Sequence, residues 1–430
     1  MSPQRQLDLW LGVQHIGRLE EQGGIWAFTY SASWLAMAES FDLSPQLARQ
    51  VEPHVDGSSH RPVQWFFDNL LPEEAARELL AAELSLAQAD AFGLLLALGA
   101  ESAGPWTLRP PGAVVPESGL VPLPWASLSQ RIAAMPRVSL QYAAPKRMSL
   151  AGAQHKLAIV VKDDGWYEPC GDSPSTHILK PDHPNAELWP HSAFNETLCM
   201  QLARSAGLDV PEVAFHRVPQ PVYLVRRFDR LHHAGGEVER LPVIDGCQLL
   251  GVDRSYKYRM CTPQTLHALA ARCTRPAATR LALLRWTIFN LLIGNGDGHL
   301  KNLSFRIGST GVELAPFYDL LSTAIHRPHP QIDRPDWAAA EVSLQHGQLR
   351  TFDDLDRTRL GELASALGLA PATALREAGR MIGRIRKAIP QIEEQWRSAS
   401  PDRAPDAGQW RLFRLIVGGM FVEQASRLAE

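Results

Sequence analysis

The nine residues Gly294-Asn295-Gly296-Asp297-Gly298-His299-Leu300-Lys301-Asn302 follow the apolar run Leu281 to Ile293 and precede the short segment Leu303-Ser304-Phe305. Three glycines within five residues allow the backbone to bend sharply. Asp297 and Asn302 have the spacing of phosphoryl-transfer loops, in which the aspartate receives the acceptor hydroxyl and the asparagine holds magnesium. A plain polar turn between a helix and a strand is the alternative, because the same residue types favour turns.

The composition is that of an ordinary globular protein. The chain has 430 residues, of which 45% are hydrophobic and 21% charged, and this length allows two or three domains. The formal net charge of -3 gives no reason to expect strong binding to nucleic acid or to an anionic membrane. We expect a cytoplasmic protein without a membrane span, because the N-terminus lacks a signal peptide and no apolar run approaches about 20 residues.

The N-terminal part reads as a small mixed domain. Alternating leucines from Leu7 to Leu11 and the strand-like segment from Ile25 to Tyr30 predict a sheet. Pro72 suits the first turn of a helix, and the apolar positions from Ala75 to Leu98 suit helical packing. Five prolines between residues 109 and 125 mark a boundary.

A second candidate site is the stretch Ser149-Leu150-Ala151-Gly152-Ala153-Gln154-His155-Lys156, which precedes a strand-like segment. Its small residues allow backbone N–H groups to approach a phosphate, with Lys156 adding charge, although it is neither a Walker loop nor a GxGxxG motif. A plain turn between strands is the alternative.

Four further features complete a kinase-like order. Lys180 ends a strand-like run, and Glu196 lies in a helix predicted from Ser192 to Ala206, so the two side chains could pair as the nucleotide-binding lysine and helix glutamate of kinases do. A solvated strand end and an exposed helix face are the alternatives. The strand from Val222 to Asp229 lies where a hinge would bind adenine through its backbone. Asp319 could be the main magnesium ligand or a helix N-cap.

In this combination the sequence resembles the HipA-type serine/threonine-protein kinases, the toxins of bacterial type II toxin-antitoxin systems. The resemblance spans nearly the whole chain. The matching stretches are Phe66-Phe67-Asp68-Asn69-Leu70-Leu71-Pro72, Ser149 to Lys156, Thr176-His177-Ile178-Leu179-Lys180, Val225-Arg226-Arg227-Phe228-Asp229-Arg230, Asp297 to Asn302 and Pro316-Phe317-Tyr318-Asp319.

The resemblance implies an α/β (α+β) chain with a two-lobed, protein-kinase-like fold, an additional small N-terminal α/β subdomain and an all-helical C-terminal lobe. The expected divisions are an N-terminal subdomain over residues 1–110, a proline-rich connection over 111–135, a kinase N-lobe over 136–245 and a helical C-lobe over 246–430.

The resemblance also implies ATP and Mg²⁺ as cofactors and assigns roles to residues. Asp297 resembles the catalytic base, and Asn302 and Asp319 resemble the magnesium ligands. Glu196 would support Lys180 as an ion pair. The expected ATP-binding residues are Ala151, Gly152, Ala153, Gln154, His155, Lys156, Lys180, Arg226, Arg227, Phe228, His299, Leu300, Lys301, Asn302, Tyr318 and Asp319.

Regulation and partners follow from the same resemblance. Ser149 matches a position at which the family autophosphorylates, and the added charge would repel ATP or push the loop outward. The expected partners are a HipB-like helix-turn-helix antitoxin, operator DNA mainly through that antitoxin, and a protein substrate such as an aminoacyl-tRNA synthetase. Arg226 and Gly246 depart from the family, which often has glutamate and an aromatic residue there.

Two other functions remain open at the level of sequence. A small-molecule phosphotransferase would use the same Asp-x-x-x-x-Asn loop on a free alcohol. A kinase-like co-repressor with weak catalysis would act by binding alone.

Overall fold

The computed structural model describes residues 4–102, 104–114, 117–152, 154–327 and 336–429. Its strands are β1 Arg5–Leu11, β2 Gln14–Gln22, β3 Ile25–Tyr30, β4 His54–Val55, β5 Trp106–Arg109, β6 Gly119–Pro122, β7 Leu157–Lys162, β8 Gly165–Cys170, β9 His177–Pro181, β10 Val213–Arg217, β11 Pro221–Arg226, β12 Arg230–His232, β13 Val238–Arg240, β14 Val243–Asp245, β15 Ser304–Gly308, β16 Gly311–Leu314, β17 Glu341–His346 and β18 Leu349–Thr351.

The α-helices are α1 Ala32–Ala36, α2 Pro62–Asp68, α3 Glu74–Glu83, α4 Ala91–Leu98, α5 Trp125–Ala134, α6 Ser192–Ala206, α7 Gly246–Leu250, α8 Pro263–Ala271, α9 Pro276–Ile293, α10 Arg357–Ala366, α11 Pro371–Arg397, α12 Ala407–Arg414 and α13 Phe421–Arg427. A π-helical stretch, Leu415–Met420, joins the last two. No helix in the described ranges has the length and apolar character that a membrane crossing requires.

The chain divides into two compact units. The first unit comprises residues 1–180, 226–256 and 304–315, and the second comprises residues 181–225, 257–303 and 316–430. Both units are therefore built from segments that are far apart in the sequence.

The first unit opens with an antiparallel five-stranded sheet in the order β4-β3-β2-β1-β5. Its inward face is built from alternating apolar residues, with Leu7 and Leu9 paired against β2 and fully buried. Helices α2 and α4 cover this face, where Phe67 contacts the ring of Phe28. Further strands of the unit pair in the orders β9-β7-β8-β6, β12-β13 and β14-β15-β16.

The second unit is mostly helical. Helix α6 covers Ser192 to Ala206, as predicted, and ends because Gly207 adopts a positive φ of 92°. It packs against α11, where the ring of Trp396 meets the ring of Phe194. The hairpins β10-β11 and β17-β18 also belong to this unit.

Several sequence expectations need correction. Pro72 precedes a helix whose N-cap is Glu73, so it does not lie in the first turn, and the expected helical stretch to Leu98 is two helices. The strand expected to reach Asp229 ends at Arg226. The all-helical C-terminal lobe is wrong as well, because β17 and β18 form a hairpin there.

Candidate active site

The loop after α9 takes its shape from short polar contacts. Gly294 ends the helix with a φ of 72°, and the Asn295 N–H donates to the Asn290 carbonyl at 2.9 Å. The next two N–H groups are also satisfied: that of Gly296 donates to Thr323 Oγ1 at 2.7 Å and that of Asp297 donates to Asn295 Oδ1 at 2.9 Å. The backbone around Asp297 is therefore fixed by amide and hydroxyl groups.

Asn302 is tied back to Asp297. The residues Leu300–Asn302 form one 3₁₀ turn, and Asn302 Nδ2 donates to the Asp297 carbonyl oxygen at 2.9 Å. The Tyr318 hydroxyl donates to the Lys301 carbonyl at 2.7 Å. These contacts bring the Asn302 side chain to the Asp297 backbone and the Tyr318 side chain to the Lys301 backbone, and the roles of these residues stay predictions.

Asp319 follows Tyr318 in an unusual backbone conformation. Its φ is 58°, a left-handed value that costs a residue with a side chain on the order of 1 kcal/mol or more. The helix N-cap alternative is wrong, because no helix begins at Asp319. Aspartate tolerates this conformation better than most residues, and its occurrence at a candidate metal ligand supports the hypothesis that Asp319 has a functional role. Asn302 and Asp319 supply hard oxygen donors, the kind that Mg²⁺ takes together with phosphate oxygens and water.

Glu196 lies near Asp319 within the second unit. Burial of the Tyr223 hydroxyl raises its pKa well above the usual value, and the carboxylates of Glu196 and Asp319 raise it further. Glu196 is itself buried, so the exposed-face alternative for this residue is wrong. Lys180 is buried in the first unit, which also excludes a solvated strand end. The ion pair between Lys180 and Glu196 stays a prediction.

Within the candidate phosphate loop, a side chain binds the backbone of the same loop. Lys156 Nζ donates to the Ala151 carbonyl at 2.6 Å. Gly152 has a φ of 106°, and a side chain added there would meet Lys156 Nζ at 2.7 Å. The Gly152 carbonyl accepts the Glu73 N–H at 3.2 Å. Gln154 and His155 are half-buried, and Ala153 lies outside the described residues.

Ser149 is fully buried at the start of this loop. Its exposure is 0%, its hydroxyl donates to the Leu70 carbonyl at 2.6 Å, and its N–H donates to the Glu101 carbonyl at 2.7 Å. Autophosphorylation at Ser149 would therefore require this segment to leave its site.

Glu101 is a residue that the sequence reading missed. Its carboxylate is fully buried and contacts four cationic side chains, namely Lys146 at 2.7 Å, Arg240 at 2.9 Å, Arg230 at 3.0 Å and Arg227 at 3.5 Å. Burial alone would raise its pKa, but these cations hold the pKa well below its usual value. The ionised carboxylate thus connects the bend at residue 101 to Lys146, three residues before Ser149, and to the arginines at positions 227, 230 and 240, all within the first unit.

One side chain of the expected hinge makes buried polar contacts within the first unit. Arg227 is buried, and its guanidinium contacts Asp229 at 2.7 Å and Ser175 Oγ at 3.0 Å. Its side chain is therefore occupied, which agrees with a hinge that would offer backbone groups to adenine. Arg226 and Phe228 are half-buried. Gly246 is the first residue of α7, which Asp245 caps, so this departure falls at a regular helix start.

The chain is similar to known proteins over most of its length. Two family models match it: the HipA N-terminal domain over residues 7–109 and the HipA-like C-terminal domain over residues 148–395. The chain is 32% identical to the putative kinase Y4mE of Sinorhizobium fredii over 96% of this chain and 99% of that protein. It is 31% identical to the serine/threonine-protein kinase toxin HipA of Shewanella oneidensis over 76% of this chain and 77% of that protein.

A solved structure is similar over nearly the full length. It is the complex of HipA, HipB and operator DNA from Shewanella oneidensis, and the match has a TM-score of 0.82 at 26% identity, covering 98% of this chain and 97% of that one.

Proposed function

The chain belongs to the HipA family of serine/threonine-protein kinase toxins, and from that membership we propose that it transfers the γ-phosphate of ATP to a serine or threonine of a target protein. The observation that carries the proposal is the bond from Asn302 Nδ2 to the Asp297 carbonyl, which holds a candidate metal ligand beside a candidate base.

Asp297 is the proposed catalytic base. The acceptor oxygen attacks the γ-phosphorus, the bond to the bridging oxygen of ADP breaks, and the acceptor proton passes to the Asp297 carboxylate. Asn302 and Asp319 would hold Mg²⁺, which neutralises charge on the β- and γ-phosphates. Lys180 would neutralise phosphate charge from the first unit, with Glu196 as its supporting partner.

The proposed ATP-binding residues fall in several stretches of the chain. In the first unit these are Ala151, Gly152, Ala153, Gln154, His155, Lys156, Lys180, Arg226, Arg227 and Phe228. In the second unit they are His299, Leu300, Lys301, Asn302, Tyr318 and Asp319. Lys156 would exchange its bond with the Ala151 carbonyl for a phosphate oxygen, and such an exchange needs only a rotation of its long side chain.

Ser149 is proposed as an autophosphorylation site that inactivates the kinase. A phosphate adds about -1.5 to -2 charges where a buried hydroxyl now donates to the Leu70 carbonyl. A dianion cannot replace that donor, so the modified loop would remain displaced and ATP binding would weaken.

The proposed partner is a HipB-like helix-turn-helix antitoxin, because the similar Shewanella HipA was solved together with HipB and operator DNA. The net charge of -3 favours an arrangement in which the antitoxin supplies most contacts with DNA phosphates. The protein target is proposed to act in translation, as an aminoacyl-tRNA synthetase does. We also propose that the chain divides into four parts, with boundaries after residues 110, 135 and 245.

The test is transfer from labelled ATP with magnesium by the intact protein, by Asp297→Asn and by Asp163→Asn. Asp163 is an exposed aspartate of the first unit and serves as the matched control. We expect incorporation by the unchanged protein and the control, with a loss of about 100-fold or more in Asp297→Asn. Mass spectrometry then locates the label, with Ser149 as the expected position.

Equal incorporation by all three proteins would contradict the assignment of Asp297. If no protein is labelled, a screen of small alcohols tests for a small-molecule phosphotransferase. A protein that binds its antitoxin but transfers phosphate to no acceptor would be a kinase-like co-repressor.

A further inference from the structure

Two contacts connect the segment that follows residue 256 to the catalytic loop. The Leu300 N–H donates to the Lys257 carbonyl at 3.2 Å. The Cys261 thiol, which is buried, lies 3.7 Å from the Gly298 carbonyl. Residues between these two points are therefore held close to Asp297.

Tyr258 is the residue that this segment presents to the loop. Its hydroxyl donates to Asp297 Oδ1. Its ring stands edge-on to the ring of His299, with centroids 4.8 Å apart and an interplanar angle of 80°, and Lys257 Nζ lies 5.2 Å from the Tyr258 ring centroid. Two contacts of the ring, with His299 and with Lys257, thus help to hold the hydroxyl at the carboxylate.

The same ring remains in contact with water. Tyr258 is 46% exposed, whereas Asp297 is half-buried and His299 is buried. The side chain could turn away from Asp297 at a small cost in buried apolar area, because much of its surface is already solvated. A buried tyrosine would have no such freedom.

An acceptor hydroxyl has to reach the same carboxylate. If Asp297 is the base, as the proposed function requires, the acceptor oxygen comes within about 2.6–3.2 Å of a carboxylate oxygen. A protein acceptor arrives from solvent, and the Tyr258 hydroxyl, on a side chain that is 46% exposed, already donates to Asp297 Oδ1. The Tyr258 hydroxyl therefore occupies the hydrogen-bonding position that the acceptor needs.

We propose that Tyr258 is a specificity-determining residue. Its hydroxyl occupies the position on Asp297 that the acceptor hydroxyl would take, and only a protein segment that binds well enough displaces it. Water binds too weakly to displace the ring. Tyr258 consequently suppresses the reaction in which water attacks the γ-phosphorus, ADP leaves with the bridging oxygen and Asp297 takes the proton from water.

The proposal rests on the proposed kinase function and is tested by hydrolysis of Mg·ATP without any protein acceptor. The proteins are the full-length chain, Tyr258→Phe, Asp297→Asn, the double variant and Tyr142→Phe. Tyr142 is 59% exposed and belongs to the first unit, so its loss of a hydroxyl is the matched control. Affinity for ATP is measured separately with a fluorescent ATP analogue.

We expect Tyr258→Phe to release inorganic phosphate about five-fold faster, which is the factor that corresponds to one hydrogen bond. Its ATP affinity should be unchanged, and the gain should vanish in the double variant. Tyr142→Phe should match the unchanged protein.

An unchanged or lower rate in a Tyr258→Phe protein that still binds ATP would overturn the proposal, since a residue that merely orients Asp297 would lower the rate. A starting protein that neither binds ATP nor shows hydrolysis dependent on Asp297 would overturn the kinase function together with it. The two failures are therefore distinguishable by the ATP affinity.

Discussion

The phosphate loop and the catalytic loop are stabilised in different ways. Beside the phosphate loop, the Ser149 N–H donates to the backbone of Glu101, whose buried carboxylate contacts four cations. In the catalytic loop, by contrast, the contacts from Asn295, Asn302 and Tyr318 involve neutral amide and hydroxyl groups.

Charged side chains therefore have different roles in the two regions. In the first unit, buried charges hold together segments that are distant in sequence, and removal of one partner leaves the others desolvated. In the second unit, neutral groups fix the loop, so the carboxylates of Asp297 and Asp319 would be able to serve the proposed reaction without also maintaining the backbone. The comparison predicts that charge removal will cost stability in one region and activity in the other.

The largest expected effect is in Asp319→Asn. Asparagine tolerates the left-handed backbone that Asp319 adopts, so the substitution removes charge while preserving the conformation. Phosphate transfer from Mg·ATP should fall about 1000-fold, because a metal ligand contributes several kcal/mol to stabilising the transition state. The measurement is initial transfer rate over a range of Mg²⁺ concentrations.

The free energy of unfolding of Asp319→Asn should change by less than about 1 kcal/mol, since the substitution is isosteric and the residue is only half-buried. A large loss of stability with proportionate loss of activity would show that the carboxylate maintains the loop, and the contrast between the two regions would fail.

The next effect concerns stability. Glu101→Gln keeps the shape of the side chain but leaves four cations facing a neutral amide, and we expect a loss of about 3 kcal/mol in the free energy of unfolding. Urea titration with an intrinsic fluorescence readout measures this loss. The matched control is Glu393→Gln, which removes the exposed helical pair with Arg397 and should cost about 0.5 kcal/mol or less. Equal losses in the two variants would contradict a special role for the buried network.

The smallest effect is a dependence on pH. Burial would raise the pKa of Asp229, but Arg227 and Arg230 outweigh it and lower the pKa to about 2 from an ordinary value of 3.8. The stabilisation is therefore complete above the unfolded pKa and is lost as the pH falls from about 4 towards 2, with a total of about 2 kcal/mol.

The test compares the unfolding free energy of the unchanged protein with that of Asp229→Asn at pH 5 and pH 3. The gap between them should shrink by about 1 kcal/mol over this interval. Asp163→Asn, at an exposed position, should show a gap that does not change. A constant gap for Asp229→Asn would mean that its carboxyl group does not titrate with folding.

Local signals were sufficient for some of the structure. Helix α6 matches the prediction from Ser192 to Ala206 because its apolar residues recur every four positions and Gly207 provides the C-terminal cap. The position and polar contacts of the loop after α9 were also predictable, since the groups that shape it lie within a few residues of Asp297, whereas its catalytic role stays a prediction.

The features that the sequence did not predict depend on tertiary contacts between residues far apart in the chain. Glu101 and Arg240 are 139 residues apart, and each alone looks like an ordinary surface charge, so no local pattern could pair them. Tyr258 lies 39 residues before Asp297 and was missed for the same reason. The expected strand through Asp229 ended early because Arg227 and Asp229 leave it to pair with each other.

The buried network around Glu101 also constrains when this protein can fold during its synthesis. Arg240, which contacts the carboxylate, is made 139 residues after it, and β14 then pairs with β15 at Ser304–Gly308. At 5–20 residues per second, the ribosome needs roughly 7–28 seconds to add those 139 residues. Until then Glu101 lacks the last of its four cationic partners, so residues 1–180 cannot complete the buried network by themselves, and the first unit is complete only once residue 315 has been made.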